Sequence, residues 1–295
     1  MLARRYISTV SKLSTKNPLF EQYLHDPLKI IVIPINSEKL FVYYKHHDSL
    51  QNKKSRIQIS ERWIVDKFST LWLKMVNSPK PYNKKIVSWV NRTIDKIPWQ
   101  ESSLLTVPGE SYIMKRLLKD SREVVNEIEK PLHVTAKEYE RMTSKPKIQP
   151  INMYYPSTNN WTLDSIHENV TKFSETGITT YKKRTIMYLS LLPLTLPVAL
   201  LPIIPNIPGF YLAYRSYCSY KAFLGAKHLK SLINKNEGGG NGEIIHPLEL
   251  PEYTRLINAS PNLTEETVDE LVELLDIKEM RSTLLKVIRQ ETTKL

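Results

Sequence analysis

The sequence of 295 residues holds a single cysteine, Cys218, so it can form neither an internal disulfide nor a cysteine-based zinc site or redox pair. Glycine is scarce, with 8 residues against 19 prolines, which argues against a glycine-lined nucleotide fold. No GxGxxG, P-loop or GxSxG motif occurs. The histidines are scattered, and the adjacent His46 and His47 would point to opposite faces of a strand, which is no metal site. Enzymatic activity is therefore not expected, and neither a cofactor nor a metal ion is implied. With 41% hydrophobic and 24% charged residues, wholesale disorder and a polytopic membrane protein are both excluded.

Acid is missing from the first 20 residues, which carry Arg4, Arg5, Lys12 and Lys16 and place Leu2, Tyr6, Val10 and Leu13 at helical spacing. This basic, amphipathic composition is that of a mitochondrial transit peptide, drawn inward by a negative-inside potential. The whole chain has a net charge of +12, which suits an anionic partner. By segment the charge is +8 over residues 21–150, +5 over 151–237 and −5 over 238–295, so the tail is the only acidic block.

Between these ends, LKIIVIPINSEKLFVYYK reads as a β-hairpin turning at Asn36, Ser37 and Glu38, with Pro34 at an edge or a strand end. A helix capped by Ser60 is expected to run to Asn77, with an apolar stripe of Trp63, Ile64, Phe68, Leu71, Trp72 and Met75. A second helix is expected over about 82–97, and one or two more between Leu104 and Lys130. PLHVT and QPINMYYPS read as short strands. Elements that do not alternate regularly point to an α+β domain over residues 21–156.

The most unusual stretch is 185–214, thirty residues with no charged side chain. That exceeds the roughly 20 residues needed to cross a bilayer. Five prolines interrupt it: Pro193, Pro197, Pro202, Pro205 and Pro208. Each removes an amide hydrogen and obstructs the preceding turn, so the pattern predicts a helix from about Leu163, a break through LPIIPNIPG, and a return through about Ile233. Lys182, Lys183 and Arg184 on one side and Arg215 and Lys221 on the other favour the same negative-inside compartment. Two full crossings need roughly 40 apolar residues, more than are present, so the hairpin would enter one leaflet or be covered by a second subunit.

The segment LLPLTLPVALLPIIPNIPGFYLAYRSYCSYKAFLGAKHLKSL, with Pro202, Pro205, Asn206, Pro208, Phe210, Arg215 and Tyr217, resembles the characteristic region of the fungal mitochondrial K+/H+ exchange-related proteins. Patches in IIVIPINSEKLFVYY and NMYYPS extend the resemblance over about 25–232. It implies a mitochondrial membrane-associated protein needed for potassium/proton exchange, and it carries no catalytic residues across.

The expected architecture is thus α+β: a small N-terminal sheet with helices over 21–156, a long proline-broken membrane-associated hairpin over 157–235, a Gly-rich linker over 236–247 and an acidic helical tail over 248–295, after a transit peptide over 1–20. The tail's apolar positions, Val268, Leu271, Leu274, Leu275, Leu284, Leu285 and Ile288, would pack on the main domain or on a partner. Glu265, Glu266, Asp269, Glu270 and Glu273, behind a Thr264 cap, read as a solvated helix start. The site residues are those of the membrane turn (Pro193, Pro197, Pro202, Pro205, Asn206, Pro208, Gly209) and its basic flanks. The expected role is that of an accessory or regulatory subunit for potassium/proton exchange, on the inner membrane with the bulk of the chain facing the matrix. Its partners would be membrane lipid and either further copies or other membrane subunits. An exchanger usually needs an ionisable group such as a carboxylate in its path, and 185–214 supplies no Asp, Glu, His, Lys or Arg. The alternative is a peripheral matrix protein binding anionic lipid, RNA or ribosome by a basic face. No RNP, KH or zinc-knuckle spacing is present, so nucleic acid is the less expected partner.

Overall fold

The computed structural model describes residues 17–52, 56–118, 133–143, 146–199, 207–237, 245–260 and 262–293. The transit peptide expected over 1–20 lies mostly outside them. Helix α1 (Pro18–His25) is capped by Asn17, whose side chain accepts from the Leu19 amide at 3.1 Å. Strands β1 (Leu28–Pro34) and β2 (Leu40–His46) form the expected antiparallel hairpin. Its turn is fixed by Asn36, whose Oδ1 accepts from the amides of Glu38 and Lys39 at 2.9 and 2.8 Å, the local bonding that suits Asn to turns. Pro34 ends β1, where no interior ladder bond is required of it.

Next come α2 (Arg56–Val76), α3 (Pro81–Asp95) and α4 (Trp99–Thr106). Because α2 already begins at Arg56, Ser60 lies inside it and does not cap it; the side chains of Trp63, Ile64, Phe68 and Leu71 lie outside the described residues. Helix does not continue past Thr106 as expected. Val107, Pro108 and Gly109 end it, and β3 (Lys115–Arg116) pairs with β4 (His133–Val134) in a separate two-stranded sheet; the rest of that expectation, 119–132, lies outside the described residues. Helix α5 (Ala136–Arg141) carries a full capping box between Thr135 and Glu138. Strand β5 (Ile151–Tyr155) leads into α6 (Leu163–Leu191), a 3-10 turn over Leu192–Thr195, a single helical turn α7 (Leu196–Ala199) and α8 (Ile207–Glu237). The chain ends in β6 (Ile245–Glu249), α9 (Pro251–Ala259), α10 (Glu265–Leu274) and α11 (Arg281–Thr292).

The sheet order is β2-β1-β5-β6, with β1 antiparallel to β2 but parallel to β5, and β5 parallel to β6. All seven residues of β1 are buried, because helices cover both faces. On one face Ile31, Ile33, Phe41, Tyr43 and Tyr154 pack against α1 and α9 to α11. On the other, Ile30, Val32, Val42, Tyr44 and Met153 pack against α4, α6 and α8. The mixed α+β class stands, but its parts are not independent. The α6/α8 hairpin and α4 share one core, and β6 is a strand of the main sheet. The linker expected over 236–247 overlaps α8 at one end and β6 at the other.

The free edge of β2 is closed by α4. Ser103 Oγ accepts from the Val42 amide at 3.1 Å and donates to the Val42 carbonyl at 2.7 Å, and Thr106 Oγ1 accepts from the Tyr44 amide at 3.2 Å. Side-chain hydroxyls on a helix thus stand in for a further strand and protect an edge that would otherwise invite pairing.

Of the two placements left open for the acidic tail, the main domain is the one it takes. Tyr23 donates to the Leu275 carbonyl at 2.5 Å, Tyr253 to the Val32 carbonyl at 2.9 Å and Tyr43 to Glu279 at 2.6 Å. Thr264 caps α10 through the Thr267 amide. A chain truncated after Glu249 would leave only α1 of the helices that cover the tail's face of the sheet, so it should lose its cooperative thermal transition by circular dichroism. A retained sharp transition would show the tail to be dispensable.

Lys29, the second residue of β1, is almost fully buried, donating to the Tyr23 carbonyl and lying 3.9 Å from the centre of the Tyr23 ring. Burial, with help from nearby Lys45 and against Asp26 and Asp276, lowers its pKa to about 8. The unfolded chain holds that proton up to about pH 10.4. Folding is therefore penalised by Lys29 below pH 8 and relieved as pH rises through that window. The stability of Lys29→Met relative to the native chain, from urea titrations, should fall between about pH 8 and pH 10; a constant difference would contradict this.

Candidate functional site

The hairpin that the sequence singled out is built around close approach. At Gly225 of α8 an added Cβ would lie 2.3 Å from the Leu104 carbonyl oxygen and 2.6 Å from that of Val107, so only glycine lets α4 and α8 meet backbone to backbone. At Gly177 of α6 a Cβ would meet Leu104 Cδ1 at 2.7 Å. Ala222 and Ala226 continue this small-residue face of α8. Helix α4 is thereby wedged between the edge of the sheet and the hairpin.

That wedge carries the most deeply buried charge among the described residues. Glu101 is 0% exposed, and its two oxygens accept from Arg215 Nη1 at 2.5 Å and Nη2 at 2.8 Å. Arg215 is 3% exposed, with its guanidinium 5.5 Å from the Tyr188 ring centre. Arg184 adds a second cation 3.7 Å from Glu101 and 5.4 Å from the Tyr181 ring. Burial pulls the Arg215 pKa down, but the hydrogen bonds and charge of Glu101 outweigh it, and the net shift is upward. Lower on α8, Lys221 Nζ lies 2.9 Å from Glu61 of α2 and 3.9 Å from the Tyr112 ring centre, and Tyr217 also donates to Glu61. Burial raises the Glu61 pKa, yet the bonds from Lys221 and Tyr217 bring it below the usual carboxylate value. His228 Nδ1 approaches the Pro108 carbonyl at 2.6 Å. Burial pushes the Cys218 thiol up, as befits an unreactive core position.

The flanking bases expected at the membrane therefore divide into two sets. Lys182 and Lys183 face solvent, whereas Arg184 and Arg215 converge on Glu101, and Lys221 engages Glu61. Of the turn residues, Pro193 and Pro197 are exposed, Pro208 is the exposed second residue of α8 and Gly209 is buried; Pro202, Pro205 and Asn206 lie outside the described residues. Thr195 spends its hydroxyl on the Leu192 carbonyl at 2.7 Å. Glu101 and Glu61 were missed by sequence reasoning. The available signal was that Glu101 is the lone acid of 96–109 and that Arg215 follows thirty uncharged residues, since a buried charge requires an opposite partner.

Around the turn the surface changes character. Ile186, Met187, Leu189, Leu191, Leu194, Leu196, Phe210 and Tyr214 are all exposed, Leu194 to 72% and Leu196 to 62%. No helix among the described residues is long and apolar enough to cross a membrane. The spanning form of the expected hairpin therefore finds no support in the described helices. Helix α6 is polar through Arg184, its buried face is spent on the sheet, and its exposed apolar side covers only the last turns before Pro193. Among the described residues no group of three or more His, Cys, Asp or Glu could hold a metal ion.

A family profile described as mitochondrial K+-H+ exchange-related matches residues 29–233. The chain belongs to this family. The match begins in β1 and ends near the close of α8, so it spans the strand hairpin, the α4 wedge and both arms that meet at Glu101. An uncharacterized protein of Saccharomyces cerevisiae is 39% identical over 306 residues, covering 98% of this chain and 91% of its own length. An uncharacterized protein of Schizosaccharomyces pombe is 23% identical over 267 residues, covering 90% of this chain and 98% of its own length. No solved structure matches the chain.

Breaking a buried pair leaves its partner charged and unsatisfied, at a cost of about 3–5 kcal/mol. Glu101→Gln should therefore lower urea stability by about that amount, while the double variant Glu101→Met with Arg215→Met should recover most of the loss. Equal destabilisation by the single and double variants would deny the pair its role.

Proposed function

We propose that the protein supports potassium/proton exchange across the mitochondrial inner membrane as an accessory or regulatory subunit, held at the matrix face by the apolar turn of its α6/α8 hairpin. The observation that carries this reading is the exposed apolar cluster from Ile186 to Tyr214, in a family described by that exchange. From Lys183 to Leu196 the chain advances 13 residues, about 20 Å if wholly helical. The hydrocarbon core is about 30 Å thick, so the turn suits entry into one leaflet, with Lys182 and Lys183 at headgroup level.

A direct ion path through one chain is disfavoured on physical grounds. Residues 185–214 contain no Asp, Glu, His, Lys or Arg, and both oxygens of the nearby buried carboxylate, Glu101, are committed to Arg215. Such a carboxylate positions helices, whereas a proton carrier must alternate between charged and neutral forms.

Mitochondria lacking the protein should retain matrix potassium and swell, and nigericin, an electroneutral K+/H+ exchanger, should relieve the swelling. The purified chain alone in liposomes should not exchange potassium for protons. Leu194→Glu with Leu196→Glu should release it from mitochondrial membranes and reproduce the null swelling. Exchange by the lone chain would overturn the accessory role, and normal volume with the charged turn would overturn the anchoring.

A further inference from the structure

We propose that the α2/α3 pair is a second membrane contact, in which the basic face of α3 takes the headgroups of anionic phospholipid beside the hairpin turn. This rests on the reading that the turn enters a bilayer. The two helices form a poorly covered layer. No described side chain of α3 is buried, and on α2 Ile59, Leu73 and Val76 are exposed at spacings that share one helical side. A helix of 15 residues that buries none of its described side chains gains little from the core; Ile86, Val87, Val90 and Ile94 are half-buried, whereas Lys84, Lys85, Trp89 and Arg92 are exposed and available to something else.

The charge identifies that partner. Residues 79–95 contain Lys80, Lys84, Lys85 and Arg92 against a single acid, Asp95, at the last position of α3. Lys84, Lys85, Ser88, Trp89 and Arg92 line one open depression on α3, with Arg92 Nη2 3.4 Å from Ser88 Oγ. Trp89 is half exposed, and the edge-on contact of its ring with Tyr211, centroids 5.7 Å apart, places α3 next to the start of α8 and hence next to the turn. Cations grouped about a half-exposed tryptophan are the composition of an interfacial helix on an anionic membrane. A phosphate backbone of RNA would satisfy the same cations, but it would not reward the apolar Ile59, Leu73 and Val76 nearby, nor the continuity with the apolar turn.

Flotation of the full-length chain with vesicles decides the matter. Phosphatidylcholine vesicles should be bound through the turn, and vesicles doped with phosphatidylglycerol should be bound more tightly, with the increment shrinking as salt rises. The triple variant Lys84→Ser, Lys85→Ser, Arg92→Ser should lose the phosphatidylglycerol increment, roughly a hundredfold at low salt for three cations near the surface, while still binding the neutral vesicles. The charge-matched control Lys137→Ser, Arg141→Ser, Lys147→Ser, altered at exposed positions elsewhere, should keep the increment. An undiminished increment in the first variant, or an equal loss in the control, overturns the α3 site. So does salt-sensitive RNA binding abolished by the triple variant without any phosphatidylglycerol increment in the native chain. Binding to neither vesicle would instead remove the membrane reading on which the site depends.

Discussion

The structure depends on one buried ion pair. Glu101 and Arg215 stand 114 residues apart in sequence, and their paired hydrogen bonds join the helix that closes the sheet edge to the second arm of the hairpin. A carboxylate with no exposure is tolerated only when its oxygens are matched by donors of fixed geometry, which the guanidinium supplies. Around that pair the packing leaves little latitude. Gly225 admits the α4 backbone, Gly177 admits Leu104, and Ser103 and Thr106 on the same short helix satisfy β2. The pair thus fixes where the hairpin stands on the sheet, and with it where the apolar turn points.

This division of labour along the hairpin explains why so long an uncharged stretch belongs to a chain with no spanning helix among its described residues. The lower parts of α6 and α8 use Val170, Ala222, Ala226 and Leu229 as a lid on the sheet. Above Arg184 and Arg215 the same two helices leave that core, and their side chains become exposed and apolar. The arginines mark the boundary between the two environments, although they do so from inside the protein.

Much of the fold was legible because it rests on local signals. The β-branched and aromatic runs LKIIVIP and LFVYYKH, the Asn36 turn, the start of α6 at Leu163 and the Thr264 cap are all dictated by residues close in sequence. What escaped was long-range. That β6 would join β5, and that the tail would cover a sheet face, depends on pairing across the whole hairpin, which no local pattern encodes. In the candidate site the prolines and flanking bases could be named from composition. Their partners could not, because Glu101 and Glu61 lie in ordinary amphipathic helices and acquire meaning only when α8 arrives. Reading every basic flank as an orientation signal for the hairpin followed from treating the apolar run as a free membrane segment, whereas Arg215 was already committed to the core.

The central claim is that the turn enters one leaflet without crossing the membrane. Its most direct test is the reach of a membrane-impermeant maleimide to Leu196→Cys in a Cys218→Ser background, read on inner-membrane vesicles of both orientations. One-leaflet entry predicts that this thiol is protected from both sides and labelled once detergent dissolves the bilayer. Labelling from the intermembrane-space side would mean that the hairpin crosses, and ready labelling from the matrix side would mean that it never enters; either would contradict the account.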